Sequence, residues 1–164
     1  MKRIAVIANP AHAGDRSEFD ASRKAADHLG LAISYHAART ADEFPPAFQT
    51  IADMGAQAVV IFPDAITSEQ RSRLAELSVV HRIPTIAGWA VFADAGNMLA
   101  YGPNLRACYR RIAYYVDRIL RGAQPADLPV ELPRELEFVV NTKTAAALGL
   151  VIPPAVLLRA DRII

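Results

Sequence analysis

The chain has 164 residues with a formal net charge of +1, and 52% of its residues are hydrophobic. This length is typical of a single domain of roughly 100–200 residues, and the apolar content excludes an intrinsically disordered chain. The near-neutral charge gives no electrostatic reason to expect binding to nucleic acid or to an acidic membrane surface.

The N-terminal residues are typical of a β-strand rather than of an export signal. The apolar run from Ile4 to Ala8 ends at the turn dipeptide Asn9-Pro10, whereas a secretory signal needs an apolar run of about 7–15 residues. No stretch reaches the roughly 18 apolar residues of a membrane-spanning helix. As written, the sequence therefore predicts a cytoplasmic location.

Short apolar runs alternate with longer amphipathic segments along the chain. The apolar runs predict strands at residues 3–8, 31–37, 58–62, 84–88, 98–101 and 136–141. The amphipathic segments predict helices at residues 16–29, 45–54, 67–80, 91–95, 105–120, 142–148 and 155–160. Thr67 is the predicted N-cap of its helix, with Gln70 completing a capping box. The alternation predicts a Rossmann-like, doubly wound α/β fold whose mainly parallel sheet has five to six strands and helices on both faces.

The predicted helix at residues 105–120 has an apolar face and a basic face. Because the total charge is nearly neutral, we interpret the basic face as solvated rather than as a nucleic-acid stripe. Cys108, the only cysteine, lies on the apolar face and is predicted to be a small core residue rather than a nucleophile. The arginines of the helix and its end are Arg106, Arg110, Arg111, Arg118 and Arg121.

Polar and aromatic residues follow four of the predicted strands. Asn9 follows the first strand, Asp64 the third and Trp89 the fourth, and Tyr101-Gly102 ends the fifth. The carboxyl ends of parallel strands meet at one edge of a sheet, and ligands of such sheets bind outside that edge. These residues are therefore the candidate contacts for a small molecule.

Each candidate also has a purely structural interpretation. Asp64 is either a helix cap or loop charge, or else a phospho-acceptor, a general base or a ligand for an ammonium group. Trp89 and Tyr101 are either core side chains or flat apolar surfaces at the mouth of a cleft. Asn9 either forms a turn with the next residue or forms a hydrogen bond with a ligand carboxylate or amine.

Motifs for common cofactors and catalytic sites are missing from the sequence. It contains no glycine-rich dinucleotide or phosphate-binding motif and no nucleophile elbow. Its histidines are scattered and its cysteine is single, so no zinc site is predicted. A receiver domain needs an acidic pair after the first strand, where this chain has Asn9. We therefore predict no cofactor, no metal and no enzymatic activity.

Several longer segments resemble one family, the substrate-binding proteins of ABC transporters. The resemblance spans nearly the whole chain, and it is to the second lobe of a two-lobed, periplasmic-binding-protein-like molecule. The segments that carry it are residues 6–10 (VIANP), 81–86 (HRIPTI), 92–103 (FADAGNMLAYGP), 119–131 (ILRGAQPADLPVE), 138–150 (FVVNTKTAAALGL), 152–154 (IPP) and 159–161 (RAD).

The resemblance implies a solute-binding component of ABC transport whose two lobes close on a small molecule, amino acids included. It implies ligand contacts at Asn9, Asp64 and Tyr101-Gly102, and, in a loop that varies in the family, at Trp89 and Phe92. Full-length relatives are extracytoplasmic and work with an ABC permease.

The same resemblance divides the chain into a Rossmann-like lobe, residues 1–134, and a strand-helix tail, residues 135–164. Compared with the family, we expect this sequence to hold the second lobe without the first. We expect the tail to pack on such a lobe or on a partner chain, which predicts a homo-oligomer built through residues 135–164. We expect the tail to expose an apolar patch made by Phe138, Val139, Val140, Leu148, Leu150 and Ile152.

Two other functional classes stay open on the sequence alone. One is a shortened interaction or regulatory module that has no ligand. The other is a cytoplasmic, receiver-like or enzymatic α/β domain.

Overall fold

The computed structural model describes residues 2–164, which form one seven-stranded sheet with its helices. The strands are β1 (Arg3–Ala8), β2 (Ala32–Ala37), β3 (Val59–Ile61), β4 (Thr85–Ala87), β5 (Leu99–Pro103), β6 (Leu136–Val140) and β7 (Arg162–Ile163). The helices are α1 (Asp15–His28), α2 (Phe44–Asp53), α3 (Ala65–Glu69), α4 (Arg71–His81), α5 (Ala90–Asp94), α6 (Leu105–Leu120), α7 (Thr142–Ala147) and α8 (Pro154–Leu157). In this part of the chain no helix is both long and apolar enough to cross a membrane.

The strand order is β2-β1-β3-β4-β5-β6-β7. Strands β1 to β5 are parallel to one another, β6 is antiparallel to β5, and β7 is parallel to β6. The predicted Rossmann-like α/β fold is confirmed. The sheet is wider than the predicted five to six strands because the two-residue β7, too short to show any periodicity, adds a last edge beyond β6.

Helices cover both faces of the sheet. Successive side chains of a strand point to opposite faces, and β1 shows the consequence. Ile7 packs in a core with Phe48 of α2 and Leu74 of α4, whereas Val6 packs on the opposite face with Phe19 of α1.

The helix after β3 begins earlier than predicted. Its N-cap is Asp64, and Thr67, the predicted N-cap, is instead the third residue of α3. Asp64 and Thr67 form a reciprocal capping box, in which each side chain accepts a hydrogen bond from the other residue's backbone N–H. The prediction mistook the second half of this box for the first, because threonine is one of the residues preferred at the N-cap.

The C-terminal segment completes the sheet of its own chain. Val139 and Val140 of β6 are fully buried, so the predicted exposed apolar patch is wrong for these two residues. Strand pairing explains the burial, since β6 lies between β5 and β7. A further contact of residues 135–164 with another lobe or chain remains a prediction.

Residues 104–135, which we call the arm, leave the sheet and return to it at the same place. Pro103 and Leu136 are register partners of β5 and β6, and the Asn104 N–H donates to the Glu135 carbonyl at 2.9 Å. The arm contains α6, in which no residue is buried. Cys108 is only partly buried there, so its predicted place in the core is wrong.

Candidate ligand-binding site

A cavity of about 710 Å³ lies at the carboxyl edge of the sheet, where β3, β4 and β5 end. It gathers four of the six predicted contact residues: Asp64, Trp89, Tyr101 and Gly102. The full lining is His12, Glu18, Pro63, Asp64, Ala65, Ser68, Gly88, Trp89, Tyr101, Gly102 and Pro103.

Asp64 is held in one orientation by its neighbours. Only 8% of the surface of this residue is exposed. Oδ1 accepts the Thr67 N–H at 2.7 Å, and Oδ2 accepts the Asn9 side-chain N–H at 2.7 Å. The helix-cap interpretation of Asp64 is therefore confirmed. A carboxylate has about four acceptor positions, so these two bonds leave capacity for a donor in the cavity.

Asn9 does not line the cavity but holds Asp64 in place through a hydrogen bond. Its Oδ1 accepts the Ala11 N–H at 3.0 Å, and its Nδ2 donates to Asp64. The first bond closes the turn after β1, so the turn interpretation of Asn9 is confirmed. The second bond fixes the position of the Asp64 carboxylate.

The aromatic candidates separate into two groups. Trp89 packs against the main core, which confirms its structural interpretation, and it also lines the cavity, where its role as a ligand surface remains a prediction. Tyr101 lines the cavity with 56% of its surface exposed and packs edge-to-face on Phe138, with the ring centroids 6.0 Å apart. Phe92 is fully buried in the core and is not among the lining residues. The structure therefore does not bring Phe92 to the site, because the first turn of α5 points it inward.

Gly102 is required by a close backbone approach. A Cβ atom at this position would lie 1.8 Å from the carbonyl oxygen of Gly88, at the exit of β4. Only glycine permits such contact between neighbouring backbones. The wall between Trp89 and Tyr101 is therefore built from main chain.

Sequence reasoning missed three polar lining residues: His12, Glu18 and Ser68. Glu18 Oε2 and Ser68 Oγ are buried atoms that have no hydrogen-bond partner within residues 2–164. Buried polar atoms are normally paired, so each of these two atoms needs a partner, such as a water molecule, an ion or a ligand. Glu18 lies on α1, which follows β1, and Ser68 lies on α3, which follows β3. Their place on helices that follow strand ends was the only signal in the sequence that they could lie near the site.

The charge of the lining is one-sided. Glu18 and Asp64 contribute carboxylates, and no lysine or arginine is among the lining residues. Such a wall favours a ligand group that is cationic or donates hydrogen bonds. Among residues 2–164, no group of three or more His, Cys, Asp or Glu side chains is arranged to hold a metal ion.

One family matches the chain over its whole length. The family described as "ABC transporter substrate binding protein" matches residues 1–164. The chain belongs to this family. A comparison of this chain with curated proteins found no match.

Solved structures similar to this family member share its fold. A conserved domain protein from Vibrio cholerae is 24% identical with a TM-score of 0.92, and the match covers 99% of this chain and 55% of that one. An ABC domain in complex with L-Trp from Streptococcus pneumonia is 19% identical with a TM-score of 0.90, covering 99% and 56%. A ligand-free, open substrate-binding protein with adhesive properties from Clostridium difficile is 19% identical with a TM-score of 0.72, covering 99% and 54%. The chain thus spans just over half the length of these proteins.

Proposed function

We propose that this chain is a ligand-binding lobe that holds a small solute, amino-acid-like in its chemistry, in the cavity at the carboxyl edge of the sheet. The observation that carries the proposal is the convergence on this cavity of Asp64, of Glu18 and Ser68, which each hold a buried polar atom without a partner among residues 2–164, and of the rings of Trp89 and Tyr101. The family supports it, since its members are substrate-binding proteins.

The lining matches the two ends of an amino acid with an apolar side chain. The carboxylates of Glu18 and Asp64 suit an ammonium group, which has three hydrogen-bond donors and a positive charge. The rings of Trp89 and Tyr101 suit a flat or branched apolar side chain. The solved relative that holds L-Trp makes this amino acid a sensible first probe.

In this proposal the chain is not an enzyme, and it serves transport together with an ABC permease in a full-length context. A single lobe offers one wall, whereas a ligand pocket usually buries 70–90% of a small molecule. Binding by the lobe alone is therefore expected to be weak and to strengthen when a second wall is present.

Isothermal titration calorimetry with L-Trp, L-Tyr and L-Leu tests the proposal. Glu18→Gln removes the charge of an unpaired carboxylate and is expected to weaken binding about tenfold or more, since a hydrogen bond to a charged group contributes about 1.5–3 kcal/mol. The matched control is Glu76→Gln on α4, an exposed glutamate outside the cavity, which should leave binding unchanged. Equal loss in both variants, or no heat with any amino acid, would contradict the proposal and favour an interaction module without a ligand.

A further inference from the structure

Helix α5 begins at the wall of the ligand cavity and ends inside the protein. Trp89, which lines the cavity, is the N-cap residue of this helix, and its carbonyl accepts the Phe92 N–H at 3.0 Å. The helix runs only from Ala90 to Asp94, and a helix this short is not stable by itself in water. The position of α5, and of the Trp89 ring at its start, therefore depends on what holds its far end.

Buried side chains of the C-terminal segment, residues 135–164, hold the far end of α5. The last carbonyls of a helix lack intrahelical partners and need donors from elsewhere. The Asn141 side-chain N–H donates to the Ala93 carbonyl at 3.0 Å. The Thr144 hydroxyl donates to the carbonyl of Gly96, two residues beyond the helix, at 2.8 Å. Both donors are buried, so water does not readily replace either of them.

A third buried side chain ties the same end of α5 to α4 and β4. Asn97 is fully buried, and its side-chain N–H groups donate to the Phe92 carbonyl and to the Arg71 carbonyl, each at 3.0 Å. Its Oδ1 accepts the Thr85 hydroxyl at 2.9 Å. Because these bonds lie inside the protein, the amide fixes α5 against the start of α4 and against β4.

Asn141 and Thr144 serve two elements at once. Asn141 is the N-cap of α7, and its Oδ1 accepts the Thr144 N–H at 3.0 Å. The same two side chains reach α5 through their donors. None of the α7 residues lines the ligand cavity. The two residues therefore act on the cavity only through the helix that they hold.

The length of α5 makes this effect direct. Five residues of α-helix span about 7 Å, so the carbonyls held by Asn141 and Thr144 lie little more than one turn from Trp89. A shift at one end of so short a helix moves the other end with it. A wall that is already in position before the ligand arrives saves the cost of ordering it during binding.

We propose that Asn141 and Thr144 are positioning residues of the ligand cavity: they hold α5 from the C-terminal segment and thereby keep the Trp89 ring in the cavity wall. The holding of α5 stands independently of the proposed function, whereas its effect on affinity rests on that function. Coupling between two places in a protein is reciprocal. A ligand at Trp89 therefore stabilises the start of α7.

Two variants remove one donor each. Thr144→Val replaces the hydroxyl with a methyl group of similar size, and Asn141→Ser keeps a hydroxyl that caps α7 but is too short to reach Ala93. Each is expected to weaken amino-acid binding about tenfold in calorimetry. Each should also raise the acrylamide quenching of Trp89, the only tryptophan, in the ligand-free protein.

Two controls separate positioning from general loss of stability. Ser78→Ala removes an equally buried hydroxyl, which donates to the Ile83 carbonyl at 2.7 Å and touches neither α5 nor the cavity. It should lower the urea midpoint by a similar amount but leave affinity and Trp89 quenching unchanged. Thr144→Ser keeps the hydroxyl and should behave as the wild type.

Hydrogen exchange tests the proposal without any substitution. Saturating L-Trp or L-Leu is expected to slow exchange of the Thr144 and Ala145 N–H groups, both of which are bonded to Asn141, although α7 does not line the cavity. Unchanged exchange in the bound protein overturns the coupling.

The remaining outcomes distinguish the proposal from the proposed function. Equal loss of affinity in Ser78→Ala, or unchanged affinity in Thr144→Val and Asn141→Ser, overturns the positioning role. Trp89 quenching that is the same in all variants overturns the holding of the wall. A wild-type protein that binds no amino acid, while Trp89 responds only to Thr144→Val and Asn141→Ser, supports the holding of α5 and contradicts the proposed function.

Discussion

Replacing Gly102 with alanine is expected to destabilise the protein through a backbone collision. The added Cβ would lie 1.8 Å from the Gly88 carbonyl oxygen, whereas ordinary contact begins at 3.4 Å, so β5 and the exit of β4 must separate by about 1.6 Å. Overpacking in a rigid setting costs about 1–3 kcal/mol, and occasionally more. We expect about 3 kcal/mol here because the obstacle is main chain, which lowers the midpoint of thermal unfolding by about 6–12 °C in a chain of this length.

Urea unfolding followed by the fluorescence of Trp89, the only tryptophan, measures this cost. Gly30→Ala is the control, because Gly30 has a positive φ of 65° but no atom within 4 Å of its added Cβ. Gly30→Ala is expected to lose only about 1–2 kcal/mol of stability, the cost of the left-handed backbone conformation for a residue with a Cβ atom. If Gly102→Ala loses no more stability than Gly30→Ala, the close approach of β4 and β5 is not a constraint and the reasoning fails.

Two further predictions concern a core side chain and a titrating one. Phe92→Ala is expected to lower the free energy of unfolding, measured with denaturant, by about 3–5 kcal/mol. At temperatures where the variant is folded, its affinity for an amino acid should be unchanged. A tenfold loss of affinity in the folded variant would make Phe92 a ligand contact. Burial lowers the pKa of His36 below its ordinary 6.5, so the unfolded chain binds the proton more readily and stability falls as the pH drops through and below that value. Urea unfolding at about pH 7.5 and about pH 5 should show this loss, and an unchanged pH dependence in His36→Gln would contradict it.

The candidate site was predictable as a place but not in its detailed contacts. Strand ends located Asp64, Trp89, Tyr101 and Gly102 at one edge, because parallel strands must bring their carboxyl ends together. The inward position of Phe92 was not predictable, since a five-residue helix such as α5 is too short for its periodicity to reveal a buried face.

Glu18 and Ser68 show a second limit. Each is an ordinary polar residue on a helix, and nothing in its sequence neighbourhood distinguishes it from a solvated side chain. Only the packing of α1 and α3 against the ends of the strands brings Glu18 Oε2 and Ser68 Oγ to one cavity without partners. Convergence of residues 50 positions apart is a property of the tertiary structure.

By itself the sequence determined the alternation of strands and helices as far as β6, the mainly parallel sheet and the edge where polar residues collect. These follow from local periodicity and from the geometry of β-α-β connections, which hardly depend on distant residues. The tertiary structure alone decided that β6 returns antiparallel beside β5, burying Val139 and Val140, and that α6 leaves its apolar face uncovered. The physical reason is that an amphipathic pattern states which face of an element favours burial, whereas the surface that buries it depends on where the rest of the chain lies.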